Sequence, residues 1–268
     1  MAFLLRVRLD NPSAEASANM LEALATMAGL QKEHNALVTY HFARPDPENR
    51  PNHLEFTEVY ANEETWWGHS ADKEFQAAYM KGFGPTCKFE AVTYGYGPGL
   101  QGKVKEVCDV VLKPKYPKSE AGFILNPQQW DTKPAARESD GAVLLITRIH
   151  AKEGNVTSIL QLLTKLSKVV NSGVIVCHGS IPEEEKEPNV IELIEVCSTN
   201  AHLATHLTAG KDTFMSVIEA AEKVTCEGYG TILSTTSQLF TDLLGLSLSV
   251  RSTDAGYVLH SNADPAGK

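Results

Sequence analysis

Two pairs of residues in this 268-residue chain have the types and spacing to do acid–base chemistry. Glu58 precedes His69 by eleven positions (69 − 58), and Glu195 precedes His206 by the same eleven (206 − 195). A histidine titrates near neutral pH and can act as a general base. A carboxylate on an apolar strand face needs a partner. It can orient such a histidine, or it can pair with Arg8 and Arg148 on a neighbouring strand, and the sequence favours the ion pair. His69 and His206 keep a second reading, as helix-end histidines that hydrogen-bond the last carbonyls. His41 and His178, both in predicted strands, are further candidates for the same sites, although a satisfied strand histidine is enough to explain each. No metal site is expected. Among nine histidines, His202 and His206 have helical i, i+4 spacing, but the place equivalent to His202 in the first half of the chain is Thr65. No glycine-rich phosphate loop opens a helix, and no G-x-S-x-G nucleophile turn is present.

These pairs recur because the chain carries the same pattern twice. Residues 36–74 overlie residues 173–211 without a gap, at an offset of 137 (178 − 41). Nine of the 39 positions are identical, among them His41/His178, Glu55/Glu192, Glu58/Glu195 and His69/His206, where residue frequencies give about two or three. The match extends outward with small shifts. Arg8 answers Arg148, Gly95-Tyr96-Gly97 answers Gly228-Tyr229-Gly230, and residues 119–125 (SEAGFIL) answer residues 253–259 (TDAGYVL). A period of about 130 residues means duplicated domains rather than a solenoid. The division is expected at residues 1–135 and 136–268, each a repeat with a C-terminal extension.

Each repeat reads as strand, helix, strand, strand, helix, strand. Leu5, Val7 and Leu9 alternate with Arg6, Arg8 and Asp10 over residues 3–10, the period of a half-buried strand. Met20, Leu21, Leu24, Met27 and Leu30 follow at helical spacing. Strands are predicted at 36–43, 53–60 and 87–94, and Asn62 can cap a helix through Trp66, Trp67 and His69. In repeat two the strands fall near 143–149, 173–179, 189–197 and 225–232. A βαββαβ unit makes a four-stranded antiparallel sheet with both helices on one face, and its other face must be covered. The fold class is therefore α+β, with two ferredoxin-like units whose sheets are expected to pack face to face. Residues 104–112 and 238–246 add a short amphipathic piece to each repeat, and the Ala-Gly-aromatic segments add a further strand. Residues 113–118 read as a connection.

Composition narrows the partners. A net charge of −9 without a basic cluster argues against nucleic acid. No stretch of about 18 apolar residues is present, so no membrane partner is expected. Five cysteines, odd in number and never spaced C-x-x-C, read as buried reduced thiols of a cytoplasmic protein. The chain begins with a strand pattern rather than a secretory leader.

Residues 54–60 (LEFTEVY), then Trp66, Trp67, His69 and Phe75, resemble the antibiotic-biosynthesis-monooxygenase-like branch of the dimeric α/β-barrel superfamily. Repeat two carries residues 191–197 (IELIEVC), His206 and Phe214 in matching places. The resemblance implies an intrachain version of a two-subunit barrel, with a pocket between sheet and helices in each half. It also implies oxidation of a small aromatic, phenolic or quinol-like molecule without a cofactor. His69, His206, Glu58 and Glu195 would then be catalytic, with Trp66, Trp67, Tyr60, Phe56, His41 and His178 lining the pockets. A non-catalytic ligand-binding or stress-related barrel is the alternative, as is a haem-binding or haem-degrading one. Haem is the weaker of these, because no axial histidine can be assigned beside the tryptophans. A homodimer of the fused chain is compatible with all of them. Repeat two has Leu203, Ala204, Cys197 and Leu193 where repeat one has Trp66, Trp67, Tyr60 and Phe56, so repeat one is expected to favour flat aromatic ligands.

Overall fold

The computed structural model describes residues 2–33, 39–82, 88–95, 102–107, 109, 112–118, 120–126, 137–138, 143–169, 173–251 and 255–260. In chain order, repeat one contributes β1 (Phe3–Asp10), α1 (Ala14–Glu33), β2 (Thr39–Ala43), β3 (His53–Tyr60), α2 (Glu63–Ser70), α3 (Lys73–Gly82), β4 (Lys88–Tyr94), α4 (Lys103–Val107) and β5 (Glu120–Phe123). After β6 (Arg137–Glu138), repeat two contributes β7 (Val143–Ala151), α5 (Val156–Leu166), β8 (Val174–Ser180), β9 (Val190–Cys197), α6 (Asn200–Ala220), β10 (Ala221–Gly230), α7 (Ser234–Leu244), β11 (Leu248–Arg251) and β12 (Ala255–His260). The chain is α+β, and both βαββαβ units are present. Among the described residues no helix is long and apolar enough to cross a membrane.

In unit 1 the strands run β4-β1-β3-β2, and in unit 2 they run β10-β7-β9-β8. These are the same 4-1-3-2 order, antiparallel throughout, which is the ferredoxin-like arrangement. Strand alternation sets the faces. Leu5 stands opposite Glu58 and Val7 opposite Phe56 in unit 1, and Leu145 stands opposite Glu195 and Thr147 opposite Leu193 in unit 2. In unit 1, α1 packs on α3 through Met27, Phe75 and Ala78. In unit 2, Ile159, Leu163 and Leu166 of α5 and Leu203, Leu207, Phe214 and Val217 of α6 close on Leu145, Ile149, Leu193 and Cys197 of the sheet. Each fully buried aliphatic side chain of this layer contributes about 1.5–3 kcal/mol.

The second helix differs between the repeats for a local reason. Asp72 accepts from the backbone N–H groups of Glu74 and Phe75, at 2.8 and 2.9 Å, and so caps a new helix after a break at residues 71–72. Repeat two has Ala209 there, with no capping side chain, and α6 runs unbroken for 21 residues. Asn62 caps α2 by accepting from Thr65 N–H at 2.9 Å, as its position predicts.

The two compact units are not the contiguous halves 1–135 and 136–268. Unit 1 comprises residues 1–116 and 251–259, and unit 2 residues 117–250 and 260–268. The segment after repeat one forms β5, which pairs with β8, and the segment after repeat two forms β12, which pairs with β2. The registers correspond, with Gly122 opposite His178 and Gly256 opposite His41. A bare strand edge has unpaired N–H and C=O groups, and each exchanged strand covers one. Residues 113–118, read from sequence as a plain connection, instead run beside β4. Lys115 N–H donates to the Ala91 carbonyl at 2.8 Å, and Thr93 N–H donates to the Lys115 carbonyl at 2.9 Å.

Gly122 holds β5 in place. Its φ is +87°, and a Cβ there would lie 2.1 Å from the Cys177 carbonyl oxygen. Gly154 has φ +79° with open space around it, and Gly29 lies within α1, also in open space. Gly122→Ala is expected to cost about 2–5 kcal/mol, from left-handed strain plus a backbone clash. Gly154→Ala should cost about 1–2 kcal/mol from strain alone, and Gly29→Ala should stabilise by about 0.5–1 kcal/mol. Urea unfolding of the three variants checks this order.

Candidate functional site

Unit 2 buries an ionisable pair in its apolar layer. Glu195 comes from β9, on the face shared with Leu193 and Cys197, and His206 comes from the buried stripe of α6. His206 Nε2 lies 2.7 Å from Glu195 Oε1. His206 is 0% exposed and Glu195 1%. A carboxylate can only accept, so Nε2 carries the hydrogen and donates, which fixes the ring tautomer. Nδ1 has no hydrogen-bond partner among the described residues. Phe214, two helical turns on, stands edge-on to the ring with centroids 5.6 Å apart.

Of the two sequence readings for each residue, the structure selects the paired one in unit 2. His206 is not a helix-end residue, because α6 continues to Ala220. Glu195 does not pair with Arg148. That guanidinium lies on the opposite face of the sheet, level with Glu192 in the register, and pairs with Glu187. In unit 1, Glu58 is buried and accepts a hydrogen bond from the Tyr60 hydroxyl at 3.0 Å, while Arg8 pairs with Glu55. The side chains of His69, on α2, and His41, on β2, lie outside the described residues.

The aromatic candidates divide by burial. Phe56, Tyr60 and Trp66 are buried, and Tyr60 stacks on Phe3 at 4.8 Å between ring centroids. Trp67 is exposed, with Lys103 Nζ 4.8 Å above its ring. His178 is buried on β8, with Nε2 3.4 Å from Glu120 of the exchanged strand β5. His202 does not join His206. Its Nδ1 lies 2.7 Å from Ser198 Oγ and 3.1 Å from Thr199 Oγ1 at the start of α6.

Cys177 belongs to the site and was not singled out from the sequence. It is 1% exposed and stands directly across from Glu195 in the β8–β9 register. Its Sγ, a His206 ring nitrogen and a Glu195 carboxylate oxygen all lie within 4.8 Å of one another. Burial pushes the Cys177 thiol well above its ordinary range, and Glu195 and Cys197 push the same way. The signal was available: Cys177 and Glu195 both alternate to the inward face of adjacent strands. Cys177, Cys197 and Cys226 are all buried and unbridged, as expected of reduced thiols.

The opposite face of the unit 1 sheet carries a charged network. Glu55 accepts from Arg6 at 2.7 Å and lies 3.5 Å from Arg8 Nε. His53 bridges Glu55 at 3.1 Å and Asp10 at 2.9 Å, with Arg50 also on Asp10 at 3.1 Å. Burial alone would raise the Glu55 carboxyl, but Arg6, His53 and Arg8 hold it far below the usual range. Burial alone would lower His53, and the hydrogen bonds to Glu55 and Asp10 outweigh it and raise the imidazole above its ordinary value, against the opposing charge of Arg50.

No protein-family model matches the chain, and no curated protein matches it in sequence. Solved structures are similar in fold. A "putative monooxygenase" of Lactobacillus acidophilus NCFM is 9% identical, with a TM-score of 0.48 over 84% of this chain and 92% of that one. Another "putative monooxygenase", from Fusobacterium nucleatum subsp. nucleatum ATCC 25586, is 10% identical, with a TM-score of 0.48 over 84% and 89%. An anthrone oxidase-like protein is 10% identical, with a TM-score of 0.35 over 84% and 89%.

Two outcomes test the electrostatics. His206→Leu alone leaves the Glu195 carboxylate buried without its partner and should cost about 3–5 kcal/mol. The double variant His206→Leu/Glu195→Leu replaces the pair by apolar side chains and should lie within about 1 kcal/mol of wild type in urea unfolding. In unit 1, a raised His53 contributes stability that is present below its unfolded value near 6.5 and is lost as pH rises through the higher folded value. The stability gap between wild type and His53→Gln should therefore be larger at pH 6 than at pH 9, by up to about 1 kcal/mol.

Proposed function

We propose that the chain is a cofactor-independent monooxygenase of small phenolic or quinol-like molecules, with His206 as the general base of unit 2 and Glu195 as the residue that orients it. The observation that carries this is the asymmetry of the His206 ring: one nitrogen is bonded to a buried carboxylate, and the other is buried with no hydrogen-bond partner among the described residues. That is the arrangement of a base whose tautomer is fixed and whose lone pair is available. The strand-glutamate, helix-histidine, aromatic pattern of the sequence supports the same reading.

Chemistry follows from the surroundings. Removing a phenol proton makes an electron-rich phenolate, which molecular oxygen can attack directly. A phenol with a free para position then becomes a quinone. One oxygen atom enters the ring, the other leaves as water, and the substrate supplies the electrons. The apolar layer around the pair excludes water from the phenolate and from reduced oxygen intermediates. Since His206 is fully buried, substrate reaches Nδ1 by displacing side chains packed on the ring, of which Phe214 is one. Unit 1 has the equivalent carboxylate, Glu58, and a phenolic neighbour, Tyr60, that hydrogen-bonds to it. His69 is the base proposed for that unit.

Oxygen uptake with a panel of phenols and hydroquinones, on chelator-treated protein, tests the reading. The double variant His69→Ala/His206→Ala should slow turnover by about 10²–10⁴-fold, and His206→Ala alone should remove the share contributed by unit 2. Equal rates in wild type, His69→Ala and His206→Ala would remove both histidines from the reaction. A slow rate in His69→Ala alone would move the active site to unit 1.

A further inference from the structure

The pair in unit 2 has a third member that base catalysis does not use. Cys177 is buried against Glu195 and His206, and the three donor atoms, one sulfur, one nitrogen and one oxygen, lie within 4.8 Å of one another. They come from β8, α6 and β9, three elements whose relative positions are fixed by the strand register and the α6 packing. Donors on one tetrahedral zinc ion stand about 3.3–3.6 Å apart, given metal–ligand distances of about 2.0–2.3 Å. The Cys177 sulfur, within 4.8 Å of the other two donors, has to close by up to about 1.5 Å to reach that spacing. The His206–Glu195 contact of 2.7 Å has to open by less than 1 Å, about the size of a side-chain rotamer adjustment.

We propose that Cys177, Glu195 and His206 form a zinc site, in which Zn²⁺ takes the place of the hydrogen shared by His206 Nε2 and Glu195. Charge favours it. An isolated ion in a dry layer is costly, but Zn²⁺ with one thiolate and one carboxylate makes a site of zero net charge. The protons balance. The Cys177 thiol loses its proton to solvent as the Zn–S bond forms, and the His206 hydrogen moves from Nε2 to Nδ1 as the Zn–N bond forms. Thiolate with imidazole selects zinc over magnesium or calcium, and three protein ligands leave a fourth position open. Metal and base are then alternative states of the same residues, because a His206 bearing zinc on Nε2 and hydrogen on Nδ1 has no free lone pair. Zinc would switch off the chemistry proposed above. That consequence rests on the base assignment, whereas the binding site does not.

The full chain, stripped with chelator, is incubated with Zn²⁺ or Co²⁺ alone, both as folded protein and during refolding, since buried ligands load slowly. Bound metal is counted after desalting. One equivalent per chain is expected, with a thiolate-to-cobalt charge-transfer band and a zinc-dependent rise in Tm. Cys177→Ser should lose the band, and Cys197→Ser and Cys226→Ser should keep it. No uptake under either loading condition, or a band that survives in Cys177→Ser, overturns the proposal. If Cys177→Ser does not fold, the band in the other two variants and the wild-type Tm shift still decide it. Oxygen uptake by chelator-treated protein separates the two ideas. Turnover without metal uptake defeats only the zinc site, and metal uptake without turnover in the stripped protein defeats only the base reading.

Discussion

A carboxylate on the inward face of a sheet must be answered from the layer that covers it, and in unit 2 much else follows from that answer. Glu195 occupies a position that alternation assigns to the core, between Leu193 and Cys197. Without a partner its charge would cost several kcal/mol there. His206 supplies the partner from the one stripe of α6 that is buried, the stripe that also holds Leu203, Leu207, Gly210, Phe214 and Val217. The phase of α6 is thereby tied to the register of β9. A rotation of the helix would break the hydrogen bond and expose the apolar stripe together, so packing and electrostatics enforce the same geometry. Close approach depends on small residues as well. A Cβ on Gly210 would lie 2.6 Å from the Leu166 side chain and 3.0 Å from the Phe214 ring, so glycine lets α5 and α6 meet beside the pair.

The sheets depend on a second constraint, the need to cover strand edges. β2 and β8 would be edges in a lone βαββαβ unit, and each is covered by the segment that follows the other repeat. The glycine of the Ala-Gly-aromatic segment meets the strand histidine in both cases, His41 in unit 1 and His178 in unit 2. Retention of the glycine has a structural explanation in unit 2, where a Cβ on Gly122 would meet the Cys177 carbonyl oxygen. Glu55 and Glu192 are equivalent in sequence, yet Glu55 is the hub of a charged network because His53 and Arg6 surround it, where repeat two has Val190 and Ile146.

Much of this was legible in the sequence. The gapless self-match and the alternation of Leu5, Val7 and Leu9 sufficed for the repeat, the element order and the strand faces, because periodicity records burial directly. Asn62 was legible as a cap because capping is local chemistry. The exchange of β5 and β12 was not, since a strand's period tells that it pairs but not with which edge. Nor was the choice of partner for Glu195. Arg148 and His206 were both within reach of a sequence argument, and only the twofold strand period, applied to Arg148 as well as to Glu195, separates them. Strand alternation puts Cys177 on the inward face, but a lone buried cysteine is ordinary, and its place beside Glu195 comes from cross-strand register, a long-range property. Trp66 and Trp67 show the limit of residue type alone: adjacent and identical, one is buried and the other lies at the surface under Lys103.

The geometry of unit 2 turns on one hydrogen, the one His206 Nε2 donates to Glu195. Nitrogen-15 NMR of the histidine rings, with His206 identified by its absence in His206→Leu/Glu195→Leu, observes that hydrogen directly in metal-free protein. A base held by Glu195 is expected to show a single tautomer at His206, protonated at Nε2 and bare at Nδ1, with a slowly exchanging ring N–H. A His206 ring protonated at Nδ1, or one averaging between tautomers as an exposed histidine does, would contradict it.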